Sequence, residues 1–159
     1  MGSPWLLSRR EVVVLVGMVL GVNALGASPS VFVGSDTTWF ERPWFFPPEI
    51  LFPVVWTALF TLMGVALFLV WRTGTDRRDV RLALGAFAVQ LVLNIAWTPV
   101  FFGLQRPGLG VLVIGALWVA IVGTTIAFDR VSRLAAGLLL PYLGWVTFAA
   151  VLNYVIYAG

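Results

Sequence analysis

Five runs of roughly 20 apolar residues, separated by short polar turns, constrain this chain of 159 residues more than any other feature. A segment of that length and composition satisfies its backbone in hydrocarbon by coiling into a helix, at about 1.5 Å per residue across about 30 Å. With 60% of residues hydrophobic and 11% charged, the fold class is an all-α integral membrane protein, a bundle of five transmembrane helices. The sequence places the spans at about 11–28, 49–71, 82–102, 109–128 and 134–157, in a single domain over 1–159, with a loop at about 29–48. Ser8-Arg9-Arg10 before the first run also has the look of an export signal. Four further spans and no soluble cargo favour a retained first helix.

Arginine sets the expected orientation. The N-terminal side carries Arg9, Arg10, Arg72, Arg77, Arg78, Arg81, Arg130 and Arg133, against Arg42 and Arg106 on the other side. That asymmetry puts the N-terminus in the cytoplasm and the first loop on the opposite face. No basic patch is interleaved with surface aromatics, so nucleic acid is not an expected partner.

Cysteine and histidine are both absent. Disulfides, zinc sites, thiolate nucleophiles and histidine acid/base schemes are therefore excluded, and neither a metal site nor a bound cofactor is expected. By this reading no Asp, Glu or Arg falls in the interior of any span, which disfavours ion-coupled transport.

The segment 39–56 is the most distinctive, with Trp39, Trp44 and Trp56 among four phenylalanines and four prolines. Pro47 and Pro48 fit the first turn of the second span, where a missing N–H costs nothing. A stiffened aromatic loop can hold a lid over the helices below. The plainer alternative is an interfacial aromatic belt.

Measured from the loop side, Asn23 lies about 6 Å deep, Trp56 about 10 Å, Trp97 about 7 Å, Asn94 about 12 Å, Asn153 about 6 Å and Trp145 about 18 Å. Gln90, Asn94 and Trp97 share one helical face. Lone amides in hydrocarbon turn inward, either fastening helix to helix or lining a pocket. An indole-lined space with a few amides suits a flat, mainly apolar conjugated ring. Pro53, Pro99 and Pro141 are expected to kink their spans and open space. Gly17 and Gly21, and the ridge Ala116, Ala120, Gly123 and Ala127, are expected to pack closely, one within the bundle and the other against a second subunit.

Three segments carry a family resemblance. Trp39-x-x-x-Pro43-Trp44-x-x-Pro47-Pro48, followed by Phe52, Trp56-Thr57 and Leu59-Phe60, resembles the first loop and second helix of the translocator protein/tryptophan-rich sensory protein (TspO/MBR) family, the peripheral benzodiazepine receptors. Gln90-Leu91-x-Leu93-Asn94-x-x-Trp97-x-Pro99-x-Phe101-Phe102 is similar to its third helix, and Pro141-Tyr142-Leu143-x-Trp145-x-x-Phe148-Ala149-x-x-Leu152-Asn153 to its fifth.

The resemblance implies a five-helix bundle, commonly a homodimer, that binds porphyrins in a pocket under the first loop. It implies a receptor or sensor role in tetrapyrrole regulation or stress response, in a prokaryotic cell membrane. By position, Trp39, Phe40, Pro47, Phe52, Trp56, Phe60, Asn94, Trp97, Trp145, Ala149 and Leu152 match the family's pocket, and the depth argument adds Asn23. Trp56 and Trp145 match the two tryptophans linked in some bacterial members to light-dependent breakdown of protoporphyrin. The alternative to a binding protein is thus an enzyme of light- and oxygen-dependent porphyrin degradation acting through those indoles. A further alternative is passive porphyrin or lipid transport. The animal members' sterol motif continues Leu-Asn-Tyr into an aromatic and an arginine. Here Leu152-Asn153-Tyr154 runs into Val155-Ile156-Tyr157 without the arginine, which argues against sterol binding there.

Overall fold

The computed structural model describes residues 6–159. Among them there is no strand, and five helical segments are long and apolar enough to cross a membrane, making this a multi-pass integral membrane protein. The helices are α1 (Arg9–Val33), α2 (Leu51–Trp71), α3 (Arg78–Thr98), α4 (Pro107–Asp129), α5 (Arg133–Leu138) and α6 (Leu140–Ala158). The last two form the fifth span.

Helix α1 begins at a capping box. Ser8 Oγ accepts the Glu11 N–H at 3.1 Å, and the Glu11 carboxylate accepts the Ser8 N–H at 2.9 Å. The helix runs five residues past its expected end at 28, straight through Pro29. Pro29 cannot donate to the Leu25 carbonyl, but Ser28 Oγ does so instead at 2.7 Å, so the turn survives. Gly34, at φ 84°, then stops the helix. The first loop consequently spans 34–50 rather than 29–48.

The prolines around the later spans act in four different ways. Pro47 and Pro48 precede α2 instead of lying in its first turn; the helix opens with the Leu51 N–H donating to the Pro48 carbonyl at 2.9 Å. Pro53 takes the first turn and causes no break, because the N–H it lacks would have had no partner within the helix. Pro99 opens a π turn, Pro99–Gly103, that ends α3. Pro141 sits just after the break at Leu139 that separates α5 from α6.

That break sets the architecture. Helix α1 packs along α2, α3 along α4, and α4 along α6. Helix α2 lies close to α5 but diverges from α6, leaving a seam that widens toward the first loop and is bridged by side chains. Below it the core is tight, with Met63, Ala66, Val70, Val80, Ala83, Ile121, Phe128, Ala135 and Val146 fully buried. The close α1–α2 crossing is made by Gly64, where a Cβ would lie 2.6 Å from Val19 Cα. The expected small-residue ridges do not make it: Gly17, Gly21 and Gly123 have open space where a Cβ would stand. Gly64 thus makes the backbone contact between α1 and α2, while Gly17 and Gly123 face outward and Ala127 packs on the core.

Candidate functional site

The seam between α2 and α6 is built from two aromatic rungs. Phe52 and Trp145 meet at 5.9 Å between ring centroids, edge to face, and Trp56 meets Tyr142 at 6.2 Å in the same manner. Phe52 and Trp56 are one turn apart on α2, and Tyr142 and Trp145 are one turn apart on α6. The antiparallel helices therefore match rung to rung. Trp56 and Trp145 both reach into this seam and are half-buried against the core.

Rings from the loop close it from above. Phe46 touches Phe52 at 5.5 Å, Phe45 touches Phe148 at 6.3 Å, and Phe148 touches Trp145 at 5.4 Å. Phe40 joins Phe46 at 6.0 Å to Phe101 at 5.7 Å, and Trp39 rests 5.2 Å from Phe101. Phe101 is buried beneath the loop because the π turn after Pro99 swings it inward. Trp44, 95% exposed at the loop tip, is the one loop indole that fits the belt reading. Exposed polar groups secure the loop: Thr37 Oγ1 donates to Glu49 at 3.1 Å, Arg42 pairs with Glu49, and the Arg42 guanidinium lies 5.2 Å over Phe46. At the loop's start the Asp36 carboxylate accepts the Thr38 N–H at 2.9 Å, which holds its pKa below the ordinary carboxylate value.

Beneath the loop the rings pack directly on one another, Phe46 on Phe52 and Phe52 on Trp145. What remains is an electrostatic signature. Trp39 Nε1 and Trp145 Nε1 are buried with no acceptor among the described residues, although buried N–H groups are nearly always paired.

The sequence-derived residues divide into three groups. Trp39, Phe40, Phe52, Trp56 and Trp145 form the ring system, with Pro47 half-buried in the loop, Leu152 buried, and Ala149 packed on the core. Phe60 stacks under Trp56 at 5.2 Å and is clamped by Gly26, where a Cβ would lie 2.3 Å from the ring. The amides instead fasten helices. Asn94 Nδ2 donates to the Tyr142 hydroxyl at 2.8 Å, which donates to Gln90 Oε1 at 2.7 Å. Trp97 Nε1 is engaged by Asn153 Oδ1 at 2.9 Å. Asn23 Nδ2 reaches Val19 O and Thr61 Oγ1 at 2.9 and 3.3 Å, joining α1 to α2 outside the seam. Tyr142, Phe46 and Phe148 belong to the seam but were not among the expected lining residues. Their signal was rung spacing, which needs the α2–α6 register.

Residues 13–158 match the model of the TspO/MBR family. The chain belongs to that family. It is 43% identical to the tryptophan-rich protein TspO of Chlorobaculum tepidum over 89% of this chain and 90% of that protein. It is 41% identical to the TspO of Archaeoglobus fulgidus, over 90% of this chain and 94% of the relative. The translocator protein of Homo sapiens is 36% identical over 84% of this chain and 85% of its own. The chain of this TspO/MBR protein carries the aromatic first loop and both seam indoles through which the resemblance was drawn.

Proposed function

We propose that this TspO/MBR protein is a membrane receptor or sensor that binds porphyrin-type tetrapyrroles in the α2–α6 seam. Binding parts the two aromatic rungs and seats the flat ring between them. The observation that carries this reading is the pair of buried, unpartnered indole N–H groups on Trp39 and Trp145, set among rings. A planar ring system supplies the stacking surface, and the carboxylates at its rim supply the missing acceptors. A metal-free porphyrin suits this donor set. The chain has no histidine or cysteine to serve as an axial ligand to a porphyrin's metal. The loop carries few regular hydrogen bonds, Phe46 N–H to Pro43 O at 3.0 Å among them, so it lifts without unfolding a helix.

The arginine asymmetry supports a loop on the non-cytoplasmic face, and the relatives in Chlorobaculum tepidum and Archaeoglobus fulgidus support a prokaryotic cell membrane as its setting. The outward faces holding Gly17, Gly21 and Gly123 suit contact with a second copy of the chain. Titrating the purified protein in the dark with protoporphyrin, while reading tryptophan fluorescence, tests the seam. Saturable quenching is expected, weakened in Trp145→Phe. Unchanged affinity in folded Trp145→Ala and Trp56→Ala variants would remove the assignment.

A second reading is supported by Trp56 packing edge-on to Tyr142 while Trp145 lies one turn away. An indole beside a bound, light-excited porphyrin lends it one electron, and the reduced ring passes it to O2. Addition of the resulting superoxide to the porphyrin returns the electron to the indole radical cation, so that one O2 enters the ring with no outside reductant. Illumination of the complex under oxygen should then yield products absent when the same porphyrin is illuminated in detergent alone. Identical products would leave only the binding role.

A further inference from the structure

We propose a second site at the opposite, arginine-rich end: the groove between the start of α1 and the turn after α2 takes the phosphate headgroup of an anionic phospholipid. The groove encloses about 450 Å³, and Ser8, Arg10, Glu11, Trp71, Arg72 and Thr75 line it. Its back wall is the Trp71 indole, the last residue of α2, with the Arg10 guanidinium held 5.9 Å over the ring.

Of the two arginines that line the groove, Arg72 is paired and Arg10 has no ion-pair partner among the described residues. Glu11 is the groove's acidic residue, and its carboxylate accepts the Ser8 N–H and pairs with Arg72 at 3.1 Å. Arg72 also lies 5.6 Å over Phe68, so it is held in place. Arg77 pairs with Asp79, and Arg81 donates to the Thr75 and Asp76 carbonyls at 3.1 and 2.9 Å, bracing the turn that forms the far wall. Gly74, at φ 123°, lets that turn fold over the groove. Arg10 has no carboxylate in ion-pair range among the described residues. The groove thus keeps a net positive charge on a guanidinium that is oriented but uncommitted, a geometry suited to phosphate oxygens.

Position identifies the phosphate as a lipid's. The groove sits where α1 enters and α2 leaves the apolar zone. Below Arg10, at helical spacing on the same face of α1, follow Val13 at 70% exposure, Gly17 with open space beside it, and Leu20 at 63% exposure. A headgroup on Arg10 therefore has an apolar track ready for its acyl chain. A free phosphate gains nothing from that track.

The test uses the full chain in detergent, read by native mass spectrometry and thermal unfolding, with phosphatidylglycerol, phosphatidylcholine and inorganic phosphate as probes. Phosphatidylglycerol should bind and stabilise, with affinity falling about tenfold in Arg10→Gln and about twofold in Arg78→Gln, a change of equal charge at the same end. Arg10→Lys, which keeps the charge but not the planar fork, should recover only part of the affinity. Circular dichroism of each variant confirms the fold. Equal losses in Arg10→Gln and Arg78→Gln would reduce the effect to diffuse surface charge and overturn the site. Phosphatidylcholine binding as well as phosphatidylglycerol, or inorganic phosphate displacing the lipid, would overturn the ligand.

Discussion

The Tyr142 hydroxyl donates to Gln90 Oε1 at 2.7 Å in the middle of the bundle, with both residues buried to 1% exposure. The same oxygen accepts from Asn94 Nδ2, so one phenol locks two positions of α3 against α6 directly beside Trp56. Tyr142→Phe keeps the ring and deletes the lock. Each intramembrane bond of this kind is worth about 0.6 to 1.7 kcal/mol, so the variant should lose about 1 to 3 kcal/mol of stability. Thermal or denaturant unfolding in detergent measures this. Porphyrin affinity should stay within about threefold, because the ring facing Trp56 is still present. A large affinity loss in a folded Tyr142→Phe protein would mean that the hydroxyl itself contacts the ligand.

The loop latch should behave in the opposite way. Arg42, Glu49 and Thr37 are exposed, and an exposed pair contributes about 0 to 1 kcal/mol. Glu49→Gln should therefore leave the unfolding midpoint almost unchanged. It should raise the rates of porphyrin association and dissociation together, by about two- to fivefold, since it loosens the closed loop without touching the seam. Stopped-flow quenching reads both rates. If association is unaffected while dissociation alone rises, the latch acts on the bound state only.

Gly64 gives a packing prediction. A Cβ there would stand 2.6 Å from the Val19 backbone, which cannot rotate away as a side chain can. Gly64→Ala should force α1 from α2 and cost about 1 to 3 kcal/mol. Gly17→Ala, with nothing within 4 Å, should be neutral in the monomer. Any effect of Gly17→Ala on the oligomeric state, measured by light scattering, then reports on an interface between copies.

Five spans were legible because hydrocarbon demands apolar length, and the seam indoles were legible through their loop and helix motifs. The loop boundary was not, because Pro29 normally ends a helix and only the Ser28 hydroxyl rescues Leu25. The fate of the amides was equally hidden. Asn23 and Asn94 share depth with the indoles, yet depth does not say which face they occupy, and both spend their hydrogen bonds tying helices together. Gly17 and Gly123 have the composition of close-packing residues. The crossing instead uses Gly64, because contact depends on which helix lies opposite.

Trp97 and Trp145 offer a matched comparison, since both lose the same volume on change to Phe but differ in the fate of the N–H. Trp97 donates to Asn153, whose own Nδ2 donates to Pro107 O at 2.9 Å, so α3, α4 and α6 meet at one amide. Trp97→Phe strands Asn153 Oδ1, a cost of about 1 to 3 kcal/mol beyond the ring. Trp145→Phe strands nothing, because its N–H is already unpartnered, and it even removes a buried donor that destabilises the ligand-free protein. The order of stability should therefore be Trp145→Phe above Trp97→Phe. For porphyrin affinity the order should reverse, with about a tenfold loss at Trp145 and little at Trp97. Should both variants lose stability and affinity in parallel, the free indole N–H of Trp145 has no role in recognition and the seam binds through ring stacking alone.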